Sequence, residues 1–243
     1  MCFHYSMSQV AKNLENRYNA PVAAATVWNP VHHASGFTFP LMPVVLAAPN
    51  PEIRLFRWGL IPSWTSSPEE AGKIRAMTLN ARSESAFEKP SYRKSILSRR
   101  CLVPADGFYE WQEVNGKRIP WYIRLRNQEI FSFAGLWDSW EESPGQTVFT
   151  YSILTTDANP RMAEIHNTKK RMPLILPPGE EGRWMDPSLS ADEIRNIMSP
   201  YPAEEMETWT IGKLITTRGA NTNSPEVKKP YLWERPAAQL GLF

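Results

Sequence analysis

The chain has 243 residues, of which 42% are hydrophobic and 12% aromatic, and its formal net charge is only +2. This composition allows a sizeable core but excludes a generally basic nucleic-acid-binding protein, so an anion-binding surface requires local clusters of Lys and Arg. Two cysteines exclude a disulfide framework. The sequence has neither a signal-peptide pattern nor an apolar run long enough to span a membrane, so we expect a cytoplasmic protein.

The first marked helix start lies in the stretch SSPEEAGKIRAM, residues 66–77. Ser67 has the position of an N-cap residue, Pro68 suits the first helical turn, and Glu70 has capping-box spacing. Strand signals follow in the centre of the chain. QEVNGKRIPWYIRL carries an Asn-Gly turn signal, whereas EIFSFAGLWDSW and VFTYSILTTDA are rich in aromatic and β-branched residues. These stretches predict strands.

A second helix start lies in SLSADEIRNIM, residues 188–198, where Ser190 and Glu193 repeat the capping-box spacing. A β-rich centre with helices before and after it indicates an α+β protein. The 22 prolines favour short elements over a helical bundle. Since no linker-like, low-complexity or repeated stretch interrupts the chain, we predict a single domain.

Four places carry residue types that are unusual for packing alone. They are Cys2, the stretch TLNARSES with Asn80 and Arg82, the stretch VPADGFYEWQ with Glu110, and the stretch EIHNTKKRMPLIL with His166. Each alone also fits an ordinary role: a small residue near a terminus, a turn with a surface ion pair, a solvent-facing strand residue, or a helix cap. Their order along the chain is the more informative feature.

That order resembles a known family. Cys2, WGLIPSW (58–64), NARSES (80–85), RRCLVPADGFYEW (99–111) and a histidine followed by RMP (171–173) resemble the SRAP family, the SOS response-associated peptidases. The similarity runs from residue 2 to about residue 227. It implies one domain over 1–243 with a tail at 228–243, and a β-rich, barrel-like core of mixed or antiparallel strands with flanking helices.

The resemblance also implies a function. Members of this family recognise abasic sites in single-stranded DNA and bond to them covalently. The family pattern places the nucleophile at Cys2, its companions at Asn80, Glu110 and His166, and a DNA contact at Arg82. The peptidase label of the family implies removal of Met1, by the protein itself, as the proteolytic event, and lyase-like chemistry at the lesion. We therefore expect abasic single-stranded DNA as the partner of a monomer that binds no membrane and uses no cofactor.

The residue types allow the chemistry to be argued. An abasic deoxyribose opens to an aldehyde, and an N-terminal cysteine offers an amine and a thiol two carbons apart. The amine condenses with the aldehyde to an imine, and the thiol adds to the same carbon to close a thiazolidine. An internal cysteine lacks the free amine. Burial of Glu110 among aromatic residues is expected to raise its pKa towards neutrality, which suits a general acid or base. His166 can carry protons, and Asn80 can orient the amine.

Basic and aromatic residues near these motifs are candidates for DNA binding. Trp58 and Trp64 are candidates for base stacking, although core packing is an equal alternative for one of them. The basic residues can contact phosphates. They are Arg75, Arg82, Arg93, Arg99, Arg100, Lys169, Lys170 and Arg171, with His4 as a further candidate.

The match departs from its family at two places. The family commonly begins Cys-Gly-Arg, whereas this chain has Phe3 and His4, so His4 replaces the arginine charge only when protonated, or carries protons instead. Four residues separate His166 from Arg171, where the spacing is often shorter.

Two other functions remain open from the sequence. One is a cysteine peptidase with Cys2 or Cys101 as nucleophile and His166 as base. The other is a non-covalent single-stranded-DNA-binding module, which would show salt-dependent binding without a covalent product. No metal site is predicted, because the four histidines, with His32 and His33 adjacent, lack structural zinc spacing.

Overall fold

A computed structural model describes residues 2–24, 27–47 and 51–233 of the chain. Strands dominate these residues. In chain order they are β1 (His4–Met7), β2 (Val31–Ser35), β3 (Leu41–Leu46), β4 (Glu52–Trp58), β5 (Asn80–Arg82), β6 (Arg100–Ala105), β7 (Gly107–Val114), β8 (Lys117–Leu125), β9 (Phe131–Ser143), β10 (Gln146–Asp157), β11 (Arg171–Pro173), β12 (Ile175–Leu176) and β13 (Met206–Thr210).

The helices are short. They are α1 (Ala11–Tyr18), α2 (Pro68–Met77), α3 (Ser95–Ser98), α4 (Pro160–Ile165), α5 (Pro178–Met185) and α6 (Ala191–Ile197), with 3-10 turns at Gly36–Thr38, Ser83–Ser85, Ala203–Glu205, Lys213–Thr216 and Pro225–Lys228. Within the described residues, no helix is both long and apolar enough to cross a membrane.

One sheet closes on itself. Its strands pair in the order β10, β4, β3, β6 and β9, and β9 pairs again with β10 through a long antiparallel ladder. The β10–β4 pair is parallel and the others are antiparallel, so the closed sheet is mixed. Three short strands extend it, since β5 and β11 pair with β10 and β12 pairs with β9. The predicted α+β fold with a barrel-like mixed core is confirmed.

The second sheet carries the N-terminal strand in its interior. Its order is β13, β8, β7, β1 and β2, and every pair is antiparallel. Tyr5 of β1 lies opposite Phe108 of β7, and His4 lies opposite Ser35 of β2. The residues that precede Tyr5 therefore run alongside the residues that follow Phe108. This register brings the start of the chain beside Glu110.

Local sequence signals place several elements correctly. Asn115 and Gly116 both have positive φ, 50° and 74°, and form the tight turn between β7 and β8. Ser190 and Glu193 form the predicted capping box of α6. At α2 the cap is confirmed, because Ser67 accepts from the backbone N–H of Glu70, but the Glu70 carboxylate bonds to Ser66 rather than back to Ser67.

The end of the described chain is tied to the second sheet. Within the predicted tail 228–243, Lys228 pairs with the Asp106 carboxylate, and Trp233 Nε1 donates to the Ile211 carbonyl at 2.8 Å. Residues 234–243 lie outside the described residues. The segment up to Trp233 therefore packs on the sheet that holds the N-terminus.

Substitution of Gly107 is expected to destabilise the fold for steric reasons. A Cβ at this position would collide with the Tyr122 hydroxyl, which is itself bonded to the Asp106 carbonyl at 3.1 Å. We predict that Gly107→Ala lowers the free energy of unfolding by about 1–3 kcal/mol, the usual range for overpacking. Urea denaturation of the purified variant measures this change.

Gly72→Ala is the matched control. Gly72 lies in the interior of α2, is exposed, and has no atom near the position of an added Cβ. This change is expected to raise the free energy of unfolding by about 0.5–1 kcal/mol, because alanine is the better helix former. Equal effects of the two substitutions would contradict the steric argument.

Candidate active site

A cleft of about 730 Å³ lies where β1 meets β7 and the segment after α4. Five parts of the chain contribute to its lining. The residues that bear on its chemistry are His4, Glu110, Trp111, Arg118, His166 and Lys169. Two exposed cations, two imidazoles and one buried carboxyl group therefore share one space. Cys2 and Asn80 are buried and are not part of its lining.

Glu110 is a buried carboxyl group at the cleft. The residue lies in β7, paired with Trp121 of β8, and is only 4% exposed. Burial raises its pKa from 4.5 to about 7, because desolvation disfavours the charged form, and the neighbouring Trp111 N–H and Arg118 only partly offset this. The carboxyl group can therefore both give and take a proton near neutral pH. The raised pKa is the one expected from the sequence, and the role of Glu110 as acid or base stays a prediction.

Cys2 is buried near Glu110, behind the lining of the cleft. Its side chain is fully buried and its Sγ contacts the His4 carbonyl oxygen at 3.7 Å. Burial raises the pKa of the thiol, and the negative charge of nearby Glu110 raises it further. The thiol is thus protonated at neutral pH and needs a base before it can act as a nucleophile. Met1 lies outside the described residues, so its removal stays a prediction.

His166 is held as a neutral base. It ends α4, where its backbone N–H donates to the Met162 carbonyl at 2.7 Å, and its Nδ1 lies 2.8 Å from the Arg171 carbonyl oxygen. Since a carbonyl only accepts, Nδ1 carries the proton and Nε2 carries the lone pair. Burial lowers the pKa of His166, which favours this neutral form.

The longer spacing between His166 and Arg171 is accommodated by a clamp on β7. The side chain of Asn167 accepts from the Glu113 N–H at 3.0 Å and donates to the Glu113 carbonyl at 2.8 Å. Lys170 then turns the chain with a φ of 48° and donates its N–H to the His166 carbonyl. The extra residues therefore form a closed turn that leaves His166 on the cleft beside Glu110.

Arg171 does not have the exposed position predicted for a DNA contact. It is 9% exposed, and its guanidinium bonds to Glu84 through both nitrogens, at 2.9 and 2.8 Å, and to Asp157 at 2.9 Å. A phosphate cannot displace so many partners from a buried site. The prediction is corrected: Arg171 links the NARSES motif to the strand β11 and presents the carbonyl that orients His166.

Asn80 combines burial with an unused amide. It lies in β5, parallel to β10 and opposite Ile153, and its backbone carbonyl accepts from the Tyr92 hydroxyl at 3.1 Å. Among the described residues, neither the Oδ1 nor the Nδ2 atom of its side chain has a hydrogen-bond partner. Because buried polar groups are almost always paired, this amide is a candidate for bonding to a substrate.

The two tryptophans separate into different roles. Trp58 is 0% exposed and its Nε1 donates to the Leu79 carbonyl at 2.8 Å, so it belongs to the core. Its predicted role in base stacking is wrong, because no base can reach a fully buried ring. Trp64 is 52% exposed and stays a candidate for stacking.

Only some of the basic residues predicted to contact phosphates are exposed. Arg100 is buried, with its guanidinium bonded to backbone carbonyls, and Arg99 is paired with Asp138. The exposed cations of the predicted set are Arg82, Arg93, Lys169 and Lys170.

His4 lines the cleft but does not supply the predicted charge. Its Nδ1 lies 2.9 Å from Nε2 of His33, and burial lowers the pKa of His4 to about 3. The ring is therefore neutral at physiological pH and is not a substitute for an arginine. Sequence reasoning missed His33 and the cleft cation Arg118 as site residues, whereas Lys169 was among the predicted phosphate contacts. Strand pairing, not a local motif, brings Arg118 to the cleft and His33 beside His4.

Two other predicted features concern the cysteines and metals. Cys101 is fully buried in β6, against Gly135, and burial raises the pKa of its thiol. It is therefore unsuited to act as a peptidase nucleophile. Within the described residues, no group of three or more metal-ligating side chains could hold an ion.

Comparisons with known proteins agree with the sequence resemblance. A model described as SOS response associated peptidase (SRAP) matches residues 1–218. The abasic site processing protein YoqW of Bacillus subtilis is 36% identical over 189 residues, which cover 77% of this chain and 80% of YoqW. The abasic site processing protein HMCES of Xenopus tropicalis is 38% identical over 150 residues, which cover 54% of this chain and 44% of HMCES. A crystal structure of a protein from Bacteroides thetaiotaomicron matches with a TM-score of 0.89 and 39% identity, over 95% of this chain and 100% of that chain.

The raised pKa of Glu110 has a measurable effect on stability. Between its unfolded pKa of 4.5 and its folded pKa of about 7, the folded state binds the additional proton. The wild type therefore loses stability as the pH rises through this window, by about 3 kcal/mol in total at about 1.4 kcal/mol per pKa unit. We predict that Glu110→Gln flattens this dependence and is the more stable protein above pH 7. Urea denaturation from about pH 5 to about pH 8 measures it.

Glu113→Gln is the control for this experiment. Glu113 lies three residues further along β7 and is exposed, so its replacement is expected to keep the wild-type pH profile. A Glu110→Gln profile that parallels the wild type would show that Glu110 does not titrate in this window.

Proposed function

Because this chain belongs to the SOS response associated peptidase family, we propose that it captures abasic sites in single-stranded DNA by bonding to them covalently through Cys2. The observation that carries the proposal is the pairing of a buried Glu110, with a pKa of about 7, with the buried Cys2 thiol that it influences. The printed names of the relatives YoqW and HMCES, abasic site processing proteins, support the substrate class.

The reaction starts once Met1 has been removed and Cys2 carries a free α-amine. The amine attacks the aldehyde of the ring-opened abasic sugar and forms a carbinolamine. Loss of water gives an iminium, and the Cys2 sulfur adds to the same carbon. The product is a thiazolidine that joins the DNA to the first residue of the protein. Its formation requires protons to move to and from three different atoms.

Glu110 and His166 line the cleft and are the acid–base pair that we assign to this chemistry. Glu110 takes a proton from the attacking amine, since its pKa lies near that of an α-amine and near neutrality. His166 accepts the proton of the anomeric sugar hydroxyl at Nε2 and returns it to the ring oxygen as the carbon–oxygen bond breaks, which opens the sugar to the aldehyde and leaves the imidazole neutral. Asn80 has a buried amide without a partner among the described residues, which suits orientation of the amine or the sugar oxygen.

A general peptidase receives less support from the same geometry. The Cys2 thiol is protonated because it is buried, and Cys101 lies inside the barrel sheet. A thiolate–imidazolium pair of the kind that activates cysteine peptidases requires an exposed, low-pKa thiol. The removal of Met1 is the one cleavage that the proposed reaction needs.

The covalent product tests the proposal directly. Purified protein incubated with an abasic single-stranded oligonucleotide is expected to give a band that survives denaturing electrophoresis. Cys2→Ala is expected to abolish it, and an alanine inserted between Met1 and Cys2 is expected to abolish it too, because the thiol then lacks an adjacent free amine. Intact mass establishes whether Met1 is absent from the reactive protein.

Cys101→Ala is the matched control, because it removes the other thiol and is expected to keep the adduct. Absence of the band with the wild-type protein would contradict the proposed function. A band that persists in the insertion variant would favour a thiol-only chemistry over the thiazolidine.

Two exposed arginines, Arg82 of the NARSES motif and Arg93, are expected to position DNA. Arg82→Ala and Arg93→Ala should each reduce the salt dependence of binding by about 0.7 in log–log slope, the value for one phosphate contact on a single strand. Fluorescence anisotropy with an oligonucleotide that carries a tetrahydrofuran abasic analogue measures binding without the covalent step.

Arg195→Ala is the control for this binding experiment. Arg195 lies in α6, is exposed, and pairs with Asp192 at 2.8 Å. Its replacement is expected to leave the slope unchanged. Equal slopes for wild type and the Arg82→Ala variant would exclude Arg82 as a phosphate contact.

A further inference from the structure

A hydrogen-bonded chain of side chains leads from the cleft towards the outside of the protein. His4 lines the cleft, its Nδ1 lies 2.9 Å from Nε2 of His33, and Nδ1 of His33 lies 2.9 Å from the Thr222 hydroxyl. Thr222 is partly exposed, and its segment is fastened to β2 by the neighbouring Asn223, which accepts from the His32 N–H at 2.7 Å. Because His4 uses Nδ1 for this bond, Nε2 is the ring nitrogen that does not take part in the chain.

We propose that His4 is a further catalytic residue of adduct formation, and that His33 and Thr222 are positioning residues that return its proton after each transfer. The inference rests on the proposed function, since it assigns the proton transfers that this function leaves without a donor. It is carried by the three-residue chain of hydrogen bonds and by the place of His4 on the cleft.

The need for a donor follows from the state of His166. Because its Nδ1 proton is given to the Arg171 carbonyl, the Nε2 atom of His166 presents a lone pair and accepts rather than donates. In the preceding step Glu110 takes the proton of the attacking amine and passes it to the alkoxide oxygen, which gives the neutral carbinolamine and leaves Glu110 as a carboxylate. A second group must then deliver a proton to the hydroxyl that leaves. His4 has a ring nitrogen left for this purpose.

The chain has two complementary arrangements of its protons. In the first, the Thr222 hydroxyl donates to His33, Nε2 of His33 donates to Nδ1 of His4, and Nε2 of His4 carries a proton. In the second, Nδ1 of His4 donates to His33, Nδ1 of His33 donates to the Thr222 oxygen, and Nε2 of His4 carries a lone pair. Both rings stay neutral in both arrangements.

Neutral transfer fits the surroundings of the pair. Burial lowers the pKa of His4 to about 3 and that of His33 to about 4. Arg118 lines the same cleft and also lowers the pKa of His4. Lys169 is the second cation of the lining, and Glu110 and Glu113 are its carboxyl groups. A concerted change of tautomer moves a proton without creating a charged ring.

The proposed steps balance in atoms and charge. Nε2 of His4 protonates the carbinolamine hydroxyl, the carbon–oxygen bond breaks, and water leaves as the nitrogen lone pair forms the iminium. Protons shift along the chain, and Thr222 regains one from solvent. The Cys2 sulfur then bonds to the iminium carbon, its proton passes to Nε2 of His4, and the chain returns to its first arrangement by releasing a proton at Thr222. The sum is aldehyde plus aminothiol to thiazolidine plus water.

Thr222 offers the most specific test because it lies outside the cleft lining. Thr222→Val keeps the shape of the side chain and removes the hydroxyl, whereas Thr222→Ser keeps the hydroxyl. Under single-turnover conditions with saturating abasic oligonucleotide, Thr222→Val is expected to form the adduct roughly ten-fold more slowly, and Thr222→Ser is expected to restore the wild-type rate. His4→Asn, which lacks the outer ring nitrogen, is expected to lose roughly 100-fold, as for loss of a general acid.

Substitution of His33 distinguishes a proton relay from structural support of His4. His33→Gln retains an amide near the Nε2 position that can bond to His4, but an amide does not pass protons at neutral pH. The relay predicts that His33→Gln is as slow as Thr222→Val and that both have a smaller solvent deuterium isotope effect than the wild type. Binding of the tetrahydrofuran oligonucleotide and the melting temperature serve as measures of a merely structural effect.

The outcomes distinguish this inference from the function on which it rests. Wild-type adduct rates in Thr222→Val and His33→Gln would overturn the relay and leave covalent capture intact. Slower adduct formation that is matched by weaker binding of the tetrahydrofuran oligonucleotide would overturn it as well, because the residues would then only hold the site in shape. Absence of any adduct with the wild type would overturn covalent capture itself.

Discussion

The position of β1 inside a sheet is the constraint on which the rest of the site depends. A terminal strand is often frayed, but here β1 is hydrogen-bonded to β7 on one side and β2 on the other. A buried carboxylate fixes its far end. Asp106 accepts hydrogen bonds from Ser6, Ser8 and Lys228. Because β1 is hydrogen-bonded on both sides, Cys2 is held in the interior next to Glu110 and is not exposed to solvent.

Burial sets the chemistry of the cleft with a single physical effect. Desolvation disfavours charge on every group, so it raises the pKa of the Glu110 carboxyl and of the Cys2 thiol and lowers the pKa of the His4 and His166 imidazoles. At neutral pH the site is therefore a set of largely neutral donors and acceptors. Proton transfer among such groups avoids the creation of unpaired buried charge, which is the costly event in a low-dielectric site.

The sequence predicts features that depend on neighbouring residues, but not features that depend on which distant strands pair. Caps and turns are local, so the start of α2 and the Asn115-Gly116 turn are readable directly. The roles of Trp58 and Arg171 are not local. Both stand in motifs with residues expected at a DNA surface, yet the closed sheet buries Trp58 and the pairing of β11 with β10 buries Arg171. The type of a residue is known from the sequence, whereas its exposure depends on strands that are distant in the chain.

The change at residues 3 and 4 follows from the same reasoning. The family commonly has glycine and arginine there, and this chain has Phe3, whose ring packs on Phe37 with centroids 5.0 Å apart, and a neutral His4. Positive charge at the cleft is supplied instead by Arg118 and Lys169. For the proposed DNA ligand, the favourable positive charge lies at the rim, where water screens the cations and their desolvation cost is small. Position 4 is thereby released from a charge role and becomes available for proton transfer.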